Sequence, residues 1–260
     1  NSSGYNVKII TVNFGQENPR DKGKIMDVKK QIIALGGGGI GTDKLNMALD
    51  KYKLQASGKT KPKIAFIPTA VGDSAFAIER FYRAFNNNIA EPSHLPLFNR
   101  DDRNLENYLL NQDIIEVSGG NTLNMLSIWE NHGVDKILKK AWEKGIILTG
   151  SSAGMICWFE SSVTDSYGPL KELTTGLGFL KGSACPHFDG EIHRRPTYED
   201  LIKSKTLPAG IALDDYVAAH YINEKIHKLV TPKEGSKGYL FNLDGNKINE
   251  KVLDPDLLNA

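Results

Sequence analysis

The chain has 260 residues, of which 40% are hydrophobic and 24% are charged, the usual balance of a globular protein with a sizeable core. Its net charge is only +1, which argues against nucleic acid or a membrane surface as a partner. The two cysteines, Cys157 and Cys185, form no CxxC pair, so we expect neither a disulfide framework nor a structural zinc site, and a reducing, cytoplasmic location.

The N-terminal stretch differs from the remainder of the chain. It is polar and lacks the apolar core of a signal peptide, and no apolar run in the sequence approaches the roughly 20 residues of a membrane-spanning helix. We interpret residues 1–25 as an extension, native or added during cloning. Residues 26–260 are predicted to form a single α/β domain.

Short apolar runs alternate with helical patterns in the first part of the chain. Strands are predicted at 31–35, 63–67, 114–117 and 146–149, and a helix is predicted near 42–52. This alternation is typical of a mostly parallel central sheet with flanking helices, which is a three-layer α/β fold.

The pattern changes after about residue 160, where the apolar runs become shorter. We predict strands at 211–213, 217–220 and 239–243. Turn residues separate these runs, so we expect antiparallel ribbons packed on the parallel core.

Three glycine turns follow predicted strands, at 36–39, 118–121 and 150–154. The carboxyl ends of parallel strands share one edge of the sheet, so these turns are expected to meet in one crevice. Gly36, Gly38 and Gly41 also satisfy a GxGxxG nucleotide-binding spacing, but a run of four glycines does so readily by chance, and no ribose-binding acid follows.

The sequence Gly150-Ser151-Ser152-Ala153-Gly154 has the setting of a nucleophile elbow, because an apolar strand precedes it and a helix is predicted over 155–159. Such a turn presents its central hydroxyl, here that of Ser152, to the crevice. The alternative is a tight strand-to-helix turn capped by a serine.

A serine nucleophile needs a base, an acid and oxyanion donors. His187 before a turn is the favoured base, and Asp214 or Asp215 after a strand is the candidate acid. The amides of Gly120 and Ala153 are the candidate oxyanion donors, although 118–122 can equally be a helix start capped by Asn121 or Thr122. An α/β-hydrolase order of serine, acid and histidine remains open, with Asp189 or Asp215 as the acid and His220 or His227 as the base. His193 is a further competing histidine.

Four segments together resemble the serine peptidase family of aspartyl dipeptidase (dipeptidase E) and cyanophycinase: the first glycine run, Ser118–Thr122, Gly150–Gly154 and Pro186–Phe188. They span most of residues 30–220. The resemblance implies a class I glutamine amidotransferase-like, flavodoxin-like fold.

The resemblance also implies roles for individual residues. Ser152 would be the nucleophile, His187 the base and Asp215 the acid, with Asp214 as the alternative acid, and Gly120 would donate to the oxyanion. Related amidotransferases carry cysteine at the elbow, where this chain has Ser152, so amidotransfer is disfavoured.

Substrate contacts are implied less directly. Aspartyl dipeptidases hold the acidic side chain of the substrate with an arginine downstream of the histidine, where this chain has Tyr198. Arg194 or Arg195 can supply a displaced guanidinium, or can belong to a solvated loop. Asn121 is a further candidate contact.

The sequence thus predicts a peptidase that cleaves a small peptide without a metal or organic cofactor, with a homodimer as a possible assembly. The alternatives are an esterase and a non-catalytic ligand-binding or regulatory protein of the same fold.

Overall fold

A computed structural model describes residues 28–245 and 247–259, so the interpretation of residues 1–25 lies outside the described residues. The described strands are β1 (Gln31–Leu35), β2 (Lys63–Ile67), β3 (Glu91–His94), β4 (Ile114–Val117), β5 (Ile147–Ser151), β6 (Phe159–Thr164), β7 (Lys171–Leu173), β8 (Leu180–Cys185), β9 (Gly210–Leu213), β10 (Ala218–Ile222), β11 (Lys225–Thr231), β12 (Gly238–Asp244), β13 (Lys247–Leu253) and β14 (Asp256–Leu257).

The described α-helices are α1 (Lys44–Ala56), α2 (Ala75–Ala84), α3 (Leu105–Leu110), α4 (Thr122–His132), α5 (Val134–Glu143), α6 (Ala153–Ile156) and α7 (Arg194–Lys203). A 3₁₀ turn covers Thr69–Val71. In this part of the chain no helix combines the length and the apolar character needed to cross a membrane.

The larger sheet has the order β14-β11-β10-β1-β5-β4-β2-β3. Strands β1, β5, β4, β2 and β3 are parallel to one another, which confirms the predicted mostly parallel α/β core. β10 pairs antiparallel with β1, so the run predicted as a ribbon beside the core is part of the main sheet.

Alternate residues of β1 face two different cores. Ile33 and Leu35 pack in a cluster with residues of α1 and α2. Ile32 and Ala34 pack in a second cluster with α4, α5 and residues of a second sheet. Because both faces of the strand are covered, β1 is apolar from Ile32 to Leu35, as parallel strands usually are.

The second sheet has the order β13-β12-β9-β8-β6-β7. β6, β8 and β9 are parallel, whereas β12 is antiparallel to β9. The predicted antiparallel ribbons are therefore corrected to a mixed sheet, one face of which packs against α7.

The helix predicted over 155–159 is wrong in its second half. α6 ends at Ile156, and Phe159 begins β6. The carbonyls of Cys157 and Phe159 accept hydrogen bonds from Leu177 and Gly178. Long-range backbone pairing therefore ends the helix after one turn, where local apolar pattern alone allows it to continue.

Candidate active site

The elbow residue Ser152 has the unusual backbone conformation φ +56°, ψ −112°, in a region that L residues rarely occupy. Its N–H donates to the Leu35 carbonyl at 3.2 Å. The flanking glycines are required by space, because a Cβ on Gly150 or on Gly154 would lie about 2.5 Å or less from the Val117 carbonyl oxygen. The small residues of the motif thus permit a strained turn that half-exposes the Ser152 side chain.

His187 and Asp215 form a direct pair, with 2.6 Å between His187 Nδ1 and Asp215 Oδ1. The His187 N–H donates to the Gly36 carbonyl at 3.1 Å. Ser152 and His187 are therefore fixed on the consecutive carbonyls of Leu35 and Gly36, at the carboxyl end of β1. The structure brings all three predicted triad residues to one edge of the sheet.

The first glycine run makes room for this pair. A Cβ on Gly37 would lie 2.0 Å from Asp215 Oδ1 and 3.0 Å from His187 Nδ1. The Gly37 carbonyl also accepts the Tyr216 N–H at 3.1 Å. Close packing against Asp215 and His187 thus explains this glycine without a nucleotide-binding role.

Asp189 is a site residue whose role the sequence did not reveal. Its Oδ1 accepts the Asp215 N–H at 2.8 Å, and its Oδ2 lies 3.3 Å from Lys233 Nζ. The histidine turn and the acid turn are therefore tied together. The Asp189-Gly190 pair was a possible signal, because a Cβ on Gly190 would lie 2.5 Å from Asp215 Oδ2.

Asp214 points elsewhere. Its Oδ2 accepts the Lys237 N–H at 2.8 Å and lies 3.4 Å from the Tyr239 hydroxyl. Burial raises the pKa of the Asp214 carboxyl. Of the two candidate acids, only Asp215 contacts His187.

The competing histidines lie in other settings. His220 is buried within β10, with Nδ1 2.7 Å from the Tyr52 hydroxyl and Nε2 3.1 Å from Gln31 Oε1. Burial lowers the pKa of His220 to about 4. His227 packs against His220, and His193 precedes α7. The α/β-hydrolase arrangement therefore has no matching acid and base pair among these described residues.

The predicted oxyanion donors lie on two neighbouring turns. Gly120 has φ +126°, and a Cβ there would lie 2.3 Å from the Ala70 carbonyl oxygen. Within the described residues neither the Gly120 N–H nor the Ala153 N–H donates to a backbone carbonyl. A Cβ on Gly119 would lie 4.0 Å from Ser152 Oγ, so the Gly120 turn passes beside Ser152.

Asn121, the further candidate substrate contact, has its side-chain amide engaged within the fold. Its side-chain oxygen caps α4 by accepting the Asn124 N–H at 2.9 Å. Its Nδ2 donates to the Ser166 carbonyl at 3.0 Å. Both ends of the side-chain amide are occupied, as the capping alternative implies.

The candidate substrate contacts Tyr198 and Arg194 are also engaged within the fold. Tyr198 is fully buried, with its hydroxyl 2.8 Å from Ser183 Oγ. Arg194 is 2% exposed, and its Nε donates to Glu191 Oε2 at 2.6 Å. Neither side chain presents a free polar group to a substrate.

Arg195 is exposed, but its charge is already paired. Its guanidinium is 2.6 Å from Glu250 Oε2 and 3.5 Å from Glu199 Oε1. It also stacks over the Phe188 ring at 4.3 Å. Packing and ion pairing on α7 account for Arg195 without a substrate.

A cavity of about 330 Å³ adjoins the elbow and is lined in part by Gly119 and Ser151. Its wall includes several polar side chains, among them those of Ser118 and Arg80. Ser118 is 5% exposed, and its hydroxyl makes no hydrogen bond. Arg80, an exposed residue of α2, forms no ion pair with any residue in the part of the chain that the structure describes. Because buried hydroxyls are normally hydrogen-bonded, this cavity has the character of a polar ligand site.

Cys157 fits the role of a packed apolar residue. It is fully buried, and burial raises the pKa of its thiol well above the ordinary value. A thiol that does not ionise is a poor nucleophile.

An elbow serine beside a histidine–carboxylate pair, on an α/β sheet, defines the class of serine hydrolases. The model of Peptidase family S51 matches residues 32–229. The chain belongs to this family and is a serine-type peptidase, a hydrolase acting on peptide bonds. The predicted resemblance to the dipeptidase E family is thereby confirmed.

Comparisons with individual proteins agree with this family assignment. The chain is 48% identical over 221 residues to a protein described as "Uncharacterized peptidase YgaJ" from Bacillus subtilis (strain 168), covering 85% of this chain and 96% of that protein. A crystal structure of a peptidase from an acI-B1 Actinobacterium has a TM-score of 0.66 at 18% identity, covering 89% of this chain and 97% of that one. A putative Peptidase E protein from Listeria monocytogenes EGD-e has a TM-score of 0.54 at 16% identity, with 87% and 100% covered. At these identities the two structures support the fold alone.

Proposed function

We propose that the chain hydrolyses a peptide bond in a small peptide through Ser152, His187 and Asp215, by way of an acyl-enzyme. The observation that carries the proposal is the anchoring of Ser152 and His187 on consecutive carbonyls of the β1 end, with His187 Nδ1 held by Asp215. This arrangement leaves His187 Nε2 as the nitrogen for proton transfer.

In the proposed reaction, Ser152 Oγ attacks the scissile carbonyl carbon while His187 Nε2 takes the hydroxyl proton. Asp215 stabilises the imidazolium, and the Gly120 and Ala153 N–H groups bind the developing oxyanion. The C–N bond then breaks, and His187 returns the proton to the leaving amine. His187 then takes a proton from water, which attacks the acyl carbon. The ester C–O bond breaks, His187 returns the proton to Ser152 Oγ, and the carboxylic acid product leaves.

The cavity beside the elbow is proposed to hold one end of the peptide. Arg80 supplies a cation without a protein counter-ion, and Ser118 supplies a buried hydroxyl without a partner. Together they suit a carboxylate, which guanidinium groups bind bidentately. Arg80 would thus do on α2 what the family arginine does near the position of Tyr198.

The first test is Ser152→Ala against Ser127→Ala, a matched control in which an exposed helix serine is removed. Loss of a triad serine is expected to lower kcat by roughly 10⁴-fold or more, while the control retains wild-type activity. Mass spectrometry after treatment with a fluorophosphonate should locate the adduct on Ser152. An inert wild type that still binds peptides would instead support the non-catalytic alternative, and preference for aryl esters over peptides would support the esterase.

The second test compares Arg80→Gln with Arg83→Gln, whose arginine pairs with Glu79 on the same helix. The substrates are dipeptides with acidic or neutral first residues and with free or amidated C termini. Loss of a charge-assisted contact should raise KM about 10- to 100-fold for the carboxylate-bearing substrates only. The pattern across the panel identifies which carboxylate is bound, and a uniform effect on all substrates would contradict the role of Arg80.

A further inference from the structure

Three charged side chains are buried together under the first glycine turn. Lys53 Nζ lies 2.8 Å from Asp50 Oδ1 and 2.8 Å from Glu116 Oε2. The side chains of Asp50, Lys53 and Glu116 are 6%, 1% and 2% exposed. We call these three residues the lysine cluster.

The lysine cluster is a poor means of gaining stability. Taking charges out of water costs several kcal/mol per ion, and apolar replacements of buried ion pairs are often as stable or more so. Burial raises the pKa of Asp50 to about 7 and also raises the pKa of Glu116. Burial disfavours the charge of Lys53, but its two carboxyl partners outweigh that effect and raise its pKa. The Lys53 ammonium therefore stays charged and keeps its directional contacts with Asp50 and Glu116.

The contacts of the lysine cluster lead to the backbone of the glycine turn. Lys53 Nζ lies 3.4 Å from the Gly39 carbonyl oxygen, and Asp50 Oδ2 accepts the Gly41 N–H at 3.3 Å. On its opposite side the same turn accepts the His187 N–H on Gly36 and the Tyr216 N–H on Gly37. All four residues from 36 to 39 are glycines, so this part of the turn has no side chains of its own to fix its position.

Glu116 extends the cluster to a second part of the site. It lies in β4, and the turn with Ser118, Gly119 and Gly120 follows that strand directly. One ammonium group thus joins α1, the glycine turn and the strand that presents the proposed oxyanion donor. Lys53 also lies 5.4 Å from the centre of the Phe85 ring, which closes the cluster from the side of α2.

We propose that Lys53 is a positioning residue that, held by Asp50 and Glu116, sets the glycine turn and thereby the alignment of His187 with Ser152. This inference rests on the proposed function, because its effect is on the rate of acyl transfer. Misplacement of a reacting group by about 1 Å can cost roughly 100-fold in rate.

The test uses the full chain and the variants Glu116→Gln and Lys53→Met. Glu116→Gln keeps the shape of the side chain and leaves Lys53 paired with Asp50, so it carries the test if Lys53→Met does not fold. Leu138→Ala is the matched control, because it truncates a buried residue of α5 far along the chain from the turn. Each variant is measured for thermal unfolding, for kcat and KM, and for the rate of fluorophosphonate labelling.

We expect kcat and the labelling rate of Glu116→Gln to fall by about tenfold or more with KM changed by less than about threefold, since Arg80, the proposed carboxylate-binding cation, lies on α2 and not on the glycine turn. Leu138→Ala should lose stability at unchanged kcat. If Glu116→Gln retains the wild-type kcat, the lysine cluster is only structural and the inference is overturned. If the wild type is neither active nor labelled, the proposed function itself fails, so the two failures are distinguishable.

Discussion

Two groups of charged residues flank the first glycine turn and differ in their access to water. The side chains of His187 and Asp215 are 23% and 30% exposed, whereas those of Lys53, Asp50 and Glu116 are 1%, 6% and 2% exposed. Both groups contact the same short backbone segment, the first at Gly36 and Gly37 and the second at Gly39 and Gly41.

The difference matches what each group is proposed to do. A pair that exchanges protons with a substrate must reach the crevice, and a partly solvated carboxylate can stay ionised while the imidazole changes charge. A group that fixes a backbone segment benefits from exclusion of water, because its hydrogen bonds are then not exchanged for bonds to solvent. Glycine lets the backbone approach both groups closely.

The largest effect is expected at the acid, where neighbouring carboxyls have different surroundings. Asp215→Asn should lower kcat by about 10⁴-fold, because the amide can hold His187 in the wrong tautomer. Asp214→Asn should lower kcat by less than about tenfold and act mainly on stability, since its Oδ2 accepts the Lys237 N–H. Steady-state kinetics with thermal unfolding separates the two, and a larger kinetic loss at Asp214 would reassign the acid.

A smaller loss of kcat is expected when the first glycine turn is displaced on the side that faces His187 and Asp215. In Gly37→Ala the new Cβ would lie 2.0 Å from Asp215 Oδ1, so the His187–Asp215 pair must shift, and we expect kcat to fall by roughly 100-fold. Gly58→Ala is the control, because it adds a Cβ at another turn with nothing within 4 Å. Equal activity of both variants would show that the glycine turn does not control the pair.

The parallel core could be predicted from sequence because its strands are buried on both faces. The runs at 31–35, 63–67 and 114–117 are mostly apolar and have the predicted bounds, with Gln31, Lys63 and Glu116 as their polar residues. The second sheet gave weaker signals: β6 carries polar residues, and β13 is mostly exposed. Its mixed pairing depends on contacts between distant segments, which no local period encodes.

The residues of the candidate site also differ in how far the sequence indicates them. Ser152 and His187 stand in short motifs whose backbone demands are local, so the sequence indicated them. Arg80 lies on an amphipathic helix, where an arginine is usually part of a solvated face. Asp50 and Glu116 are far apart in sequence and meet only through the packing of α1 on β4. Only the fold brings such residues to the site.

The smallest and most specific effect is expected in the pH dependence of stability. Burial raises the pKa of Asp50 from 3.8 to about 7, so between these values the native state binds more protons than the unfolded state. The free energy of unfolding should therefore fall as pH rises through this window, by up to about 1.4 kcal/mol per pH unit for one group, with Glu116 acting in the same direction.

The groups that set this dependence are the Lys53 ammonium, the Glu116 carboxyl and the Gly41 N–H, which all face Asp50. Asp50→Asn should flatten the slope of unfolding free energy between about pH 4 and pH 7, because the amide does not titrate. Urea unfolding at several pH values measures this slope. Asp113→Asn is the control, since the Asp113 carboxylate pairs with Lys59 at a more exposed position. A slope that Asp50→Asn leaves unchanged would mean that Asp50 is already ionised at pH 4. The lysine cluster and the His187–Asp215 pair would then no longer differ in the way that burial predicts.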